Sequence, residues 1–100
     1  MSRERFIKTV SERYILPKRR GGGLIKIEVW ENKEGELVKY SFAYINHQIS
    51  SKDNGRVIGY DNAHHSHHKH ILGEIYPVEN FTTYEDLLNR FEEELKEFIK

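Results

Sequence analysis

Five of the chain's six histidines, His64, His65, His67, His68 and His70, fall within seven consecutive positions directly after the strand-like run Arg56-Val57-Ile58-Gly59-Tyr60-Asp61. Imidazole is the side chain that can donate or accept a proton, or bind a metal, close to neutral pH. If residues 67–70 continue in extended form, His68 and His70 share a face with Cα atoms about 6.5–7 Å apart. Two imidazoles so placed can straddle a phosphate. One takes a proton from an attacking hydroxyl while the other gives one to the leaving oxygen, which is the work that RNA cleavage by the 2′-hydroxyl requires. A cation must then stabilise the charge gathering on the phosphoryl oxygens. Lys69 serves only if the backbone bends, because an ideal strand turns it to the opposite face. Arg56 and the Lys18-Arg19-Arg20 segment are the other sources, and these with Asn62 form the expected nucleic-acid-binding set. Tyr60 and Asp61 are placed to orient a histidine or contact a base.

The same residues admit two other chemistries. His68 and His70 with Asp61, His64 or His65 offer neutral and anionic ligands of the kind zinc accepts, leaving one position open. The dense histidine spacing nevertheless matches no zinc signature, so the primary reading has no cofactor and zinc is the alternative. A third class is a binding module without catalysis, in which the aromatic positions Tyr40, Phe42 and Tyr44 face a partner; a core role for them is the simpler account.

These residues need a scaffold, and one hundred residues allow one domain, 1–100, with a single core. Leu24 to Glu31 alternates, Ile25, Ile27 and Val29 on one face against Lys26, Glu28 and Trp30 on the other, as in a half-buried strand. Val38, Tyr40, Phe42 and Tyr44 share the apolar face of the next strand, opposite Lys39, Ser41, Ala43 and Ile45, and the two make an antiparallel hairpin. Residues 5–16 fit both a helical spacing (Phe6, Val10, Tyr14) and a strand face, and a strand is favoured for their second half. Pro17 to Gly23 is a basic, glycine-rich turn able to hold a phosphate, though an ordinary hairpin connection also explains it. Ser50 to Gly55 turns the chain into the short strand 56–61, and Ile71 to Pro77 returns as an edge strand or loop. His47, outside the cluster, reads as structural. Thr82 and Thr83 offer capping boxes to a helix whose stripe is Leu87, Leu88, Phe91, Leu95, Phe98 and Ile99. The expectation is an α+β fold, a four- to five-stranded antiparallel meander with the C-terminal helix packed on one face.

Charge is balanced overall, sixteen basic residues against sixteen acidic, but it is segregated. Residues 1–20 hold seven basic groups and two acidic ones, whereas residues 79–100 hold three and seven. Such a chain suits a basic surface for a polyanion and an acidic outer helix face. There is no cysteine, no apolar run of membrane-spanning length, and no apolar signal core near Met1, which reads as a cytoplasmic protein with no membrane role.

Gly55-Arg56-Val57-Ile58-Gly59-Tyr60-Asp61-Asn62, a short variable stretch, His68-Lys69-His70 and then a helix like Tyr84 to Lys100 together resemble the TumE family of small toxin proteins from prokaryotic type II toxin–antitoxin modules. The likeness spans nearly the whole chain, including the strand ending in Trp30 and the tyrosine-rich strand after it. Its specific part is the pair Tyr-Asp-Asn and His-basic-His. The resemblance implies a growth-inhibiting toxin neutralised by a cognate antitoxin, with RNA as the expected target; a homodimer is an open alternative on separate grounds. It implies that His68, Lys69 and His70 matter more than His64, His65 and His67, and so favours a metal-independent ribonuclease over a metal site.

Overall fold

The computed structural model describes residues 7–63 and 66–99. Six strands, β1 (Ile7–Ile15), β2 (Leu24–Glu31), β3 (Leu37–Ile45), β4 (Arg56–Asp61), β5 (His68–Ile71) and β6 (Glu74–Pro77), form one antiparallel sheet in sequence order, followed by the helix α1 (Tyr84–Leu95). The α+β meander with a C-terminal helix holds, with six strands in place of four to five. Two segments account for the difference. Residues 7–15 are strand throughout, and 71–77 divides into the end of β5 and the whole of β6 around Leu72-Gly73.

The period-two pattern of β2 and β3 decides the two faces of the sheet. Ile27 and Val29 pair with Phe42 and Tyr40, and Phe42 in turn with Tyr60, so one face is a continuous apolar layer. α1 lays Leu87, Phe91 and Leu95 on that layer over β3 and β4. Burial of this kind contributes about 1.5–3 kcal/mol per large apolar side chain. Thr83 caps the helix, its hydroxyl accepting from the Asp86 N–H. The core carries three buried tyrosines, and each hydroxyl has a partner: Tyr40 meets His67 Nδ1 at 2.7 Å, Tyr44 donates to the Gly22 carbonyl at 2.9 Å, and Tyr60 donates to Glu94. The tyrosine-rich strand is therefore core.

The opposite face has no helix over it. Paired residues across the strands form two rows there. One runs Lys26, Ala43, Gly59, His70, and its neighbour runs Glu28, Ser41, Asp61, His68. Two positions further along the strands, Trp30 pairs with Lys8 and Lys39.

Candidate functional site

Strand alternation alone brings His68 and His70 to the open face, and the rings lie 6.5 Å apart between centroids at 76°. Antiparallel pairing sets Asp61 beside His68 and Gly59 beside His70. Gly59 is required for a physical reason: a Cβ there would meet the Phe42 carbonyl oxygen at 2.7 Å and Arg56 Cδ at 2.9 Å. The missing side chain lets Arg56 lie across its own strand toward Asp61.

His70 is 9% exposed and has a carboxylate on each side. Its Nε2 is 2.8 Å from Asp61 Oδ2, and its Nδ1 is 3.7 Å from Asp53 Oδ2. Neither ring nitrogen makes an aligned hydrogen bond, so the short Asp61 contact is off the N–H axis, and both nitrogens are covered. An ionised carboxylate only accepts, so the nitrogen that turns to Asp61 must carry its hydrogen there. Asp61 itself is fixed by the Ala63 N–H at 3.1 Å on Oδ1 and by Arg56 Nη1 at 3.3 Å on Oδ2.

Arg56 completes the cluster with a two-pronged contact to Asp53, Nε to Oδ2 at 2.7 Å and Nη2 to Oδ1 at 3.0 Å. The guanidinium hydrogen bond holds the Asp53 carboxyl below its ordinary range. Burial pulls the Arg56 charge down, but the two carboxylates outweigh it and the guanidinium is held more firmly protonated than usual. Three of its five N–H groups are engaged, which leaves two for another acceptor. A shallow cavity of about 200 Å³ opens beside it, lined by Lys26, Ser41, Ala43, Asp53, Asn54 and Arg56. Asp53 lies in a turn where it and Asn54 have positive φ, 51° and 53°. The sequence pattern Asp-Asn-Gly marked that turn, and its position three residues before Arg56 was the available sign that Asp53 belongs to the site.

The other expected site residues lie elsewhere. Tyr60 and Lys69 pair with one another on the helix face, where Lys69 Nζ and the Tyr60 hydroxyl both meet the Glu94 carboxylate. Burial first, then Glu94, pushes the Tyr60 hydroxyl well above its ordinary range, so it stays a donor. These two residues line a separate cleft of about 280 Å³ with Arg90. The backbone does not bend to bring Lys69 round, and Arg56 is the cation beside the histidines. Asn62 spends its side chain on β3, accepting from the Tyr40 N–H at 2.9 Å and donating to the Val38 carbonyl at 3.0 Å. Lys18, Arg19 and Arg20 form a single 3-10 turn in the β1–β2 connection, and Lys18 there lines a different cavity with Gly21, Asn46 and His47.

His67 belongs to the packing. Its ring stacks on Phe81 at 3.8 Å and lies parallel to Tyr40, and burial holds its pKa below the usual imidazole value. For the zinc alternative, His64 and His65 lie outside the described residues; among the described residues, no three histidine, cysteine or acidic side chains are grouped to hold a metal ion. No helix among the described residues is long and apolar enough to cross a membrane.

Comparison with known proteins adds one finding. A family model described as Toxin TumE matches residues 6–99. Among curated proteins and solved structures, none matches the chain.

Proposed function

Because the chain belongs to the TumE toxin family, we propose that it is the toxin of a toxin–antitoxin module and acts as a metal-independent endoribonuclease with His68 and His70 as its proton-transfer pair. The observation that carries this reading is the open-face cluster: two imidazoles 6.5 Å apart, one backed by Asp61, with a two-donor guanidinium beside them. His70 takes the proton of the attacking 2′-hydroxyl, and Asp61 holds the ring and stabilises the imidazolium that results. His68, more exposed, gives a proton to the departing 5′-oxygen. The remaining N–H groups of Arg56 meet the phosphoryl oxygens. The His70 nitrogens are covered, and a phosphate that draws Arg56 and with it Asp53 aside would open the Nδ1 side of the ring.

Expression of the chain without its cognate antitoxin should arrest growth, and co-expression should relieve it; unaffected growth in the first case removes the toxin reading at once. Purified chain should cleave RNA in excess chelator, spare DNA of the same sequence, and show a bell-shaped pH profile. His68→Ala and His70→Ala should each cost about 10²–10⁴-fold in rate, and the double variant little more, because either loss stalls the same step. Activity abolished by chelator and restored by zinc would transfer the assignment to a metal site drawing on Asp61, His64 and His65.

A further inference from the structure

The open face continues past the histidines to the chain's single tryptophan. Trp30 lies on this face with Lys39 Nζ 4.7 Å and Lys8 Nζ 4.8 Å from its ring centroid. An aromatic ring with two ammonium groups over it suits a nucleotide, whose phosphates can draw the cations off the ring while the base takes their place against it. Between Trp30 and the histidines the face carries Glu28, Ser41 and Asp61, with cations set around the first of these. Glu28, in the row of Asp61 and His68, has its carboxyl held down by the Lys8 hydrogen bond first and by the charges of Lys26 and Arg13 beside it. The acidic residues of α1 lie across the sheet, on the other side of the molecule.

Register gives the separation. Trp30 stands three strands from His68 and two residues along, and with strands about 4.8 Å apart and about 3.4 Å per residue this is about 16 Å. An unstacked strand opened to about twice its ~3.4 Å stacked rise covers that gap in two to three nucleotides. Resting on the ribonuclease reading above, we infer that the open face is a track for single-stranded RNA, with one base stacked on Trp30 two to three nucleotides from the phosphate that is cut. The site then requires unpaired RNA, since a base within a duplex has no free face to offer the ring.

Because the chain has one tryptophan, its emission reports this contact directly. Titrating the full-length His68→Ala chain with a single-stranded octanucleotide should quench Trp30 emission, whereas a dinucleotide or a blunt duplex of the same composition should not. Trp30→Ala should weaken octanucleotide binding, measured by anisotropy, roughly 10- to 100-fold, with Trp30→Phe keeping most of the affinity. Lys39→Ala should lower the slope of log affinity against log salt by about 0.7. Saturable octanucleotide binding with unchanged Trp30 emission overturns the track, as does equal quenching by a polyglutamate peptide of matched charge. The two proposals fail separately. Octanucleotide cleavage unaltered by Trp30→Ala refutes the track and leaves the histidines in place, while quenching by the octanucleotide in an unsubstituted chain that cuts no RNA supports the track and refutes the ribonuclease.

Discussion

Asp53 and Asp61 hold the same guanidinium, yet their removal should have opposite effects. Asp61 stands 2.8 Å from His70 Nε2, and if it orients the ring during the proposed reaction, Asp61→Asn should lower kcat by about 10²-fold or more. On the proposed reading Asp53, which pairs with Arg56, competes with an incoming phosphate, so Asp53→Asn should raise kcat/KM on RNA. Parallel kinetics on the two variants decide the matter; a fall in both would make Asp53 part of the machinery rather than a competitor. His67 carries a different consequence, for stability. Tyr40 and its Nδ1 share a hydrogen bond of 2.7 Å, and burial lowers its folded pKa. The unfolded chain, titrating near 6.5, therefore binds more protons just below that pH. Stability from His67 is complete above about pH 6.5 and declines as the pH falls from there toward the lower folded value. Thermal unfolding between pH 7.5 and 5.5 should show a shallower loss for His67→Phe than for the unsubstituted chain. The family resemblance set His67 apart from His68 and His70, but its packing role was not legible, since it depends on Phe81, fourteen positions on, arriving against its face.

Among the elements, β5 has two unlike faces, and Lys69 shows what the helix face does. Its bond to Glu94 ties β5 to α1 and leaves the histidines on either side of it facing away. Lys69→Met should lower unfolding stability by about 1–2 kcal/mol, between the values for exposed and buried pairs, while the rate per folded molecule is kept. A loss of rate without a loss of stability would return Lys69 to the reaction. β2, β3 and α1 were legible because one face of each is buried and periodic, although α1 ends at Leu95, and Phe98 and Ile99 pack against the core from beyond it. β1 was only half legible, since most of it is exposed and Phe6, Val10 and Tyr14 fall at helical spacing by coincidence. The β5–β6 hairpin was hidden for a local reason. Leu72 and Gly73 both have positive φ, 49° and 87°, the geometry of a two-residue turn whose first position usually holds asparagine or aspartate. Leucine there reads as strand, and the two strands merged into one. The histidine pair was visible because it needs only alternation, whereas the Asp53–Arg56–Asp61 cage needs a turn and a glycine acting together.

For the whole molecule, Lys8, Arg13, Lys26 and Lys39 gather on the open face around Glu28 and Trp30, whereas the outer acids of α1 lie on the other side of the sheet. A polyanion should therefore be steered to one side, with an association rate that falls steeply as salt is added. Stopped-flow mixing with RNA measures this, and a salt-independent rate would contradict it. The strand order has a consequence of another kind. Every strand pairs with its neighbour in sequence, so each hairpin can close as soon as its own residues exist, with little loop entropy to overcome. During synthesis the N-terminal hairpins can form before the histidine strand β5 and the helix α1, which follow them in the chain. A message cut short anywhere before β5 therefore yields a sheet that lacks the histidine pair, and on the proposed reading such a fragment should be inactive.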